Sequence, residues 1–337
     1  MILIDALYIN SSGGLVLLKR LISRLEEKGI DVFYLLDKRI EKHNIVKKSE
    51  NICYLNSSLL NRFFFYIRKI NHFDSIFCFG NIPPPIKTKS YVFVQFHNVL
   101  YFKDKIDSSI LGNIVFKLKK IFIIRTKNNA DKWFVQTNLV KKNLEQFLKI
   151  SKDDIIVNPF YDIPLILTDL KKREVNSFVY ISSDMKHKNH LKLLEAWNVL
   201  LQNKWDYKLH LTIPYQNIKL ISIINDLNNK GANIINHGII DRSKALKLYQ
   251  NSEYLIHPSS EESFGLGLIE AVEMGCKIIA PNLPYVHEII DPDITFDVRN
   301  LNSLVLALQS AIHNKCFNSK SKLKIQDNTD KLIDTIC

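Results

Sequence analysis

The sequence predicts an α/β protein made of two similar parallel-sheet domains. Short runs of β-branched and aromatic residues alternate with helical apolar patterns along most of the chain, as strands joined by crossover helices do. The irregular stretch "NPFYDIPLILTDLKKREVN" interrupts this alternation, which then begins again. A chain of 337 residues, 46% hydrophobic, is long enough for two domains, each with its own core.

The elements follow in order. A strand, Ile2-Leu3-Ile4, leads through "NSSGG" into a helix expected over Leu15 to Lys28. Its apolar positions, Leu17, Leu18, Leu21, Ile22 and Leu25, lie at helical spacing, and Gly29 ends it. "DVFYLL", "SIFCFG", "YVFVQF", "KWFVQT" and "IIVNP" read as further strands. After a linker near 160–175, "SFVYIS", "KLHLTI", "NIINHG" and "YLIHP" read as strands, with "LKLLEAWNVLLQ", "LISIINDLNNKG" and "SKALKLYQNS" as the helices between them. Leu266 to Met274 forms another helix, capped at Gly275, and Lys277 to Ala280 the strand that follows. The tail from Lys320 to Cys337 reads as a terminal helix. The domains are thus expected at 1–165 and 166–319, with the helix 320–337 able to pack back on the first.

Composition narrows the classes of function. No run approaches the roughly 18 apolar residues of a membrane span, and "MILIDALYIN" lacks the basic flank of a secretory signal, so a cytoplasmic location is expected. Cys53, Cys78, Cys276, Cys316 and Cys337 have neither paired spacing nor an even count, which indicates neither a disulfide framework nor a zinc site. The net charge of +12 is uneven: residues 1–165 hold 26 Lys+Arg against 15 Asp+Glu, the remainder 20 against 19. The first half therefore either faces an anionic partner or carries a solvated lysine-rich surface. Two segments there, "NRFFFYIRK" and "SILGNIVFKLKKIFIIRTKN", combine aromatic or aliphatic residues with cations. They could lie on an anionic bilayer or pack on the first-domain sheet, with Leu111, Ile114, Val115, Leu118 and Phe122 forming one helical face.

The most informative stretch is "HPSSEESFGLGLIEAVEMGCKIIAP". Glu262 precedes the helix and Glu270 lies within it, so both can point to one ligand-binding place beside helix-terminal amides that attract anions. Carboxylates accept hydrogen bonds from sugar and ribose hydroxyls. The competing reading makes Glu261 and Glu262 partners of the helix dipole and leaves Glu270 solvated. In "FVYISSDMKHKNHLKLLEAW", Lys186 or Lys188 could neutralise a diphosphate, or the loop could simply be solvated. Gly13 and Gly14 are expected between strand and helix, where backbone amides can approach an anion. His97 ends the strand "YVFVQFHN"; His187, His190 and His257 are read as surface or packing residues. Asp291-Pro292-Asp293 has the letters of a metal-binding D-x-D but reads as a turn, and no metal is called for.

On these residues, "PSSEESFGLGLIEA" followed by "EMGCKIIAPNLPYVHEI" resembles the E-x7-E signature region of family 4 retaining glycosyltransferases of the GT-B fold. "INHGIIDRSKALKLYQNSEY" resembles the segment that precedes it there, so the similarity runs from about Phe178 to Ile290. The resemblance implies two Rossmann-like domains facing a central cleft and a sugar transferred from a UDP-, GDP- or ADP-linked donor, with no further cofactor. It implies that Glu270 binds the donor ribose, that Glu262 binds donor-sugar hydroxyls, and that the backbone of Phe264, Gly265 and Leu266 approaches sugar and diphosphate. Lys188 matches the family's phosphate-binding lysine, Gly13 and Gly14 its glycine loop, and His97 its histidine near the reacting carbon. The chain departs from the family at Ser263, Gly267 and Ser183, where glycine, proline and a phosphate-binding arginine are usual; Lys186 is one cation that could substitute. Members of similar size and basicity act on bacterial surface polysaccharides, which implies a sugar or polyprenyl-diphosphate-linked acceptor, O-antigen or capsule assembly, and the inner membrane face as the surface met. Other readings are a nucleotide-sugar epimerase or hydrolase of the same fold, and a non-enzymatic basic protein binding nucleic acid or membrane; nucleic acid is not the expected partner.

Overall fold

The computed structural model describes residues 1–337 except 11, 70, 71, 105, 107–109, 163–172, 204, 205 and 314–320. Most of the expected linker, together with Cys316 and Lys320, lies outside the described residues. The chain divides into one unit of Met1–Asp162 plus Gln326–Cys337 and a second of Ile163–Ile325.

The first unit is built on seven strands, β1 (Ile2–Ala6), β2 (Val32–Asp37), β3 (Ile52–Leu55), β4 (Ser75–Cys78), β5 (Tyr91–Gln95), β6 (Lys132–Val135) and β7 (Ile155–Val157). They form one parallel sheet in the order β3-β2-β1-β4-β5-β6-β7. Buried on both sides, β1 is apolar apart from Asp5. Helices α1 (Ser12–Glu27), α2 (Leu59–Lys69), α3 (Ile110–Thr126) and α4 (Asn138–Leu148) supply the layers. Phe65 and Tyr66 of α2, Phe116 and Ile123 of α3, and Val140, Leu144 and Leu148 of α4 join one core cluster on the sheet.

Of the apolar face expected in the 110–127 segment, all but Phe122, which packs against the core, is turned outward. Leu111 is 70% and Leu118 60% exposed, and Ile114 and Val115 are exposed too, while Phe116 and Ile123 are the side chains that fill the core. With apolar residues around its whole circumference, α3 has no single face that must be buried, and the sheet takes the side carrying Phe116. The exposed apolar side chains of α2, among them Leu60, Phe64 and Ile67, belong to the same layer.

The tail is not one helix. Lys322–Leu323 forms a strand in the second unit, and only Thr329–Ile336, α11 of the first unit, is helical. Asp327 sets the break by accepting from Thr329 N at 3.1 Å and Thr329 Oγ1 at 2.5 Å. Helix α11 packs beside α1, where Arg24 bonds Asp330 at 2.8 Å and Lys28 bonds Asp334 at 2.9 Å. Its Leu332, Ile333 and Ile336 are buried.

The second unit contains β8 (Glu174–Tyr180), α5 (His190–Leu200), β9 (Lys208–Leu211), α6 (Ile218–Asn229), β10 (Ile234–Asn236), α7 (Arg242–Asn251) and β11 (Ser252–Ile256). There follow α8 (Leu266–Glu273), β12 (Lys277–Pro281), α9 (Pro284–Ile289), β13 (Ile290–Asp291), β14 (Ile294–Phe296), α10 (Leu301–Ile312) and β15 (Lys322–Leu323). Six strands make a parallel sheet in the order β10-β9-β8-β11-β12-β14, and β13 pairs antiparallel with β15. Asp291-Pro292-Asp293 is sheet-edge structure rather than a free turn: Asp291 lies in β13, and Asp293 Oδ2 accepts from Ile278 N at 2.7 Å.

In both sheets the strand order reverses once, between β1 and β4 in the first unit and between β8 and β11 in the second. Open α/β sheets bind ligands outside the carboxyl ends of the strands at such a reversal. The loops after β8 and β11 carry Lys186, Lys188 and Glu262; Gly13 and Gly14 open α1 after β1, Glu270 lies in α8, and His97 follows β5.

Candidate functional site

In the second unit, the loops after β8 and β11 are stitched together. Ser260 N donates to His187 O at 2.9 Å, and Asn189 Nδ2 donates to Pro258 O at 2.9 Å. His190, expected to be a packing or surface residue, is buried, and its Nε2 lies 3.0 Å from both Ser182 Oγ and Ser183 O, holding the start of the first loop. This joinery brings Lys188 to Glu262, Nζ to Oε1, at 2.5 Å. His257, also read as surface or packing, is buried beside them, its Nε2 3.4 Å from the same oxygen. The rings of Tyr180 and Tyr285 stand edge-on to His257 and close the site from behind.

Burial alone would raise the Glu262 carboxyl, but His257 and the Lys188 ammonium outweigh it and hold it down at about 2. Glu262 is therefore a fixed carboxylate, an acceptor for hydroxyl groups and a poor proton donor.

Glu262 is followed by the turn that starts α8. Gly265 has φ +67°, a left-handed conformation that favours glycine, and a Cβ there would crowd Leu268 Cδ1 at 3.1 Å. Phe264 is buried beneath the turn, while Leu266 and Gly267 at the start of α8 are partly exposed. First-turn amides of a helix have no acceptors within it. The departure at Gly267 has a steric reason: a Cβ there would come within 3.1 Å of Tyr249 Oη on α7. Glu270, one turn further, is buried, and Arg242 Nε donates to its Oε1 at 2.9 Å. Burial raises the Tyr249 phenol well above its ordinary value, and the charges of Glu270 and Glu262 add to this, so the phenol is near both glutamates. Lys186 and Ser183 are exposed on the first loop.

In the first unit, Gly13 and Gly14 are not between strand and helix but within the first turn of α1, which begins at Ser12. A Cβ on Gly14 would lie 3.9 Å from His97 Nε2, in ordinary contact, so the helix terminus and the histidine meet. His97 N donates to Asn81 Oδ1 at 2.7 Å, and its ring rests on Phe79. Burial pushes the imidazole down to about 4, which leaves it neutral at ordinary pH. The loop carrying Asn81 is fixed from below. Arg62 donates to Ile82 O at 2.9 Å and Pro83 O at 2.7 Å, and pairs with Asp5 at 2.7 Å, where Tyr66 Oη also donates at 2.8 Å.

His257, Arg242, Asn81 and Arg62 are the residues sequence reasoning missed. His257 alone had a signal, its place directly after β11 as the first residue of the quoted stretch. A cavity of about 220 Å³ lies elsewhere, between His237 and the Lys244, Lys247, Leu248 and Asn251 side of α7, and is lined by neither glutamate. Among the described residues there is no cluster of three or more His, Cys, Asp or Glu placed to hold a metal, and no helix long and apolar enough to cross a membrane.

Two parallel-sheet α/β units, each with one reversal of strand order, and the likeness to solved structures define a protein of the GT-B glycosyltransferase fold. Residues 168–331 match the family model for glycosyl transferases group 1. CapH of Staphylococcus aureus, a capsular polysaccharide biosynthesis glycosyltransferase, is 28% identical over 155 residues, which are 44% of this chain and 41% of that protein. The chain thus matches less than half the length of that relative. WaaG, a glycosyltransferase involved in lipopolysaccharide biosynthesis, superposes with a TM-score of 0.67 at 15% identity over 99% of each chain. A TarM variant from S. aureus, solved with fondaparinux, alpha-GlcNAc-glycerol and UDP, gives a TM-score of 0.61 at 18% identity over 77% of this chain and 52% of that one. The group 1 match and the named glycosyltransferases support a transferase.

Proposed function

We propose that the chain is a family 4 type, retaining glycosyltransferase that moves a sugar from a nucleotide-sugar to a sugar or lipid-linked sugar acceptor in the assembly of a bacterial surface polysaccharide. The observation that carries this reading is the second unit's pair of held carboxylates, Glu262 on Lys188 and Glu270 on Arg242, on either side of the α8 terminus. A nucleotide-sugar offers the matching chemistry: a diol at one end, a polyhydroxy ring at the other and a diphosphate between.

In this reading Glu270 meets the ribose, Glu262 meets the sugar hydroxyls, and the backbone at Phe264, Gly265 and Leu266 lies along the diphosphate. Lys188, with Lys186 nearby on its loop, stabilises the leaving diphosphate as the anomeric carbon–oxygen bond breaks. The acceptor hydroxyl forms the new bond from the same face, and its proton passes to the departing phosphate oxygen. The first unit takes the acceptor, with neutral His97 and the Gly13-Gly14 turn as its contact residues. The donor is a substrate, and no resident cofactor is assigned.

A lipid-linked acceptor also accounts for the first unit's outer layer. Helices α2 and α3 contain no Asp or Glu, carry Arg68, Lys69, Lys117, Lys119, Lys120 and Arg125, and expose leucine, isoleucine and phenylalanine. Apolar side chains among cations match an anionic bilayer surface, so this layer is assigned to peripheral contact with such a membrane. CapH and WaaG, named for capsular polysaccharide and lipopolysaccharide, are the relatives that point to this kind of product.

Calorimetry against UDP, GDP, ADP and their sugar conjugates tests the donor assignment. One nucleotide should bind, and Glu270→Ala should abolish the binding. Failure of all three to bind would overturn the reading.

A further inference from the structure

Arg242 occupies a position that local physics disfavours. It is the first residue of α7, where the helix dipole repels a cation, and Asp241 already serves as the N-cap by accepting from Lys244 N at 2.9 Å. A residue that breaks a local rule is commonly held by another part of the molecule. Here the holder is Glu270, on a different helix. Arg242 Nε reaches Glu270 Oε1 at 2.9 Å, and both side chains are largely removed from solvent. Helices α7 and α8 pack against each other, with Gly267 facing Tyr249 Oη, which brings the guanidinium to the carboxylate.

We infer that Arg242 is the positioning residue for Glu270, holding its carboxylate oriented so that it reads the 2′,3′-diol of the ribose in a nucleoside diphosphate. The inference rests on the donor reading above. A carboxylate buried beside the Tyr249 phenol without a cation would tend to take up a proton and lose acceptor capacity. With Nε of a rigid, planar guanidinium donating to Oε1, it keeps a cation beside it in a defined direction. Lysine, a point charge on a flexible stem, would supply the cation but not the direction.

The readout is discrimination between ribose and deoxyribose, which a merely structural residue would not alter. Dissociation constants are measured for UDP, GDP and ADP and their 2′-deoxy counterparts with the wild type, Arg242→Gln and Arg242→Lys. For the nucleotide that binds, the wild type should disfavour the deoxy form by about 10- to 100-fold, the scale of a lost hydrogen bond to a charged group. Arg242→Gln should reduce that ratio to below about 3-fold, and Arg242→Lys should fall between. A large ratio left unchanged in both variants overturns the inference while sparing the donor reading. A wild-type ratio near one removes the ribose role of Glu270, and the inference with it. Should Arg242→Gln fail to fold, Arg242→Lys carries the test, because it preserves the charge and loses only the fork.

Discussion

Asp5–Arg62 in the first unit and Glu262–Lys188 in the second are both carboxylate–cation pairs beside the place where a sheet reverses its strand order. The first pair is 1% exposed on both sides, and Arg62 is saturated by Asp5, Ile82 O and Pro83 O. The second retains 15% and 13% exposure, opens next to a helix terminus and has a histidine as third member. Exposure and company distinguish them, as does the cation: a planar guanidinium in the sealed pair, a compact ammonium in the open one. The sealed pair fixes a loop, and the partly open pair can exchange one partner for a ligand.

Removing a member of the sealed pair should have the largest effect. Arg62→Ala leaves Asp5 without its cation in a dry site and frees two carbonyls, so stability should fall by about 3–5 kcal/mol in urea unfolding. A loss under about 1 kcal/mol would erase the distinction between the pairs.

The open pair should show itself through pH. The Glu262 carboxyl titrates at about 2 in the folded chain against an ordinary 4.5, so the folded state binds fewer protons across that interval. Its stabilisation, about 3 kcal/mol, is present above pH 4.5 and is lost as pH falls through about 2. Glu262→Gln should flatten this part of the stability curve. An unchanged curve in the variant would show that other carboxylates carry it.

The smallest expected change in stability belongs to α3. Replacing Leu111, Ile114 and Leu118 together by serine should alter unfolding free energy by about 0.5 kcal/mol or less per site, as at other exposed positions. The same variant should lose about tenfold or more of its binding to phosphatidylglycerol vesicles, with little binding to phosphatidylcholine in either form. If the wild type ignores both vesicles and instead self-associates through this face, the layer is an interface between copies.

The difference between the pairs also marks what the sequence could reveal. Period and punctuation exposed the alternation of strands and helices, the cap at Gly275 and the turn before Leu266, because those are local properties. Glu262 and Glu270 stood out as candidates in one compact stretch of strand, turn and helix, and Lys188 in a second, on the loop after β8. Arg242 and Asn81 were not, because their partners lie 28 and 16 residues away and meet only after the sheet has formed. His257 was set aside as a packing residue because nothing local distinguishes a buried histidine beside a carboxylate from one among hydrocarbons. The outward face of α3 failed for another reason. A helix apolar all round gives periodicity nothing to choose with.

The docking of α11 on α1 makes the first unit discontinuous in the chain. A ribosome working from the N-terminus delivers all of β1 to β7, then the whole second unit, and only afterwards Leu332, Ile333 and Ile336 that cover α1. Until then α1 lacks the helix that packs beside it while the second unit is being made. The newborn protein thus has a period of vulnerability whose length is set by translation speed, and chaperone demand during synthesis should track the second unit's codons more than the first unit's own.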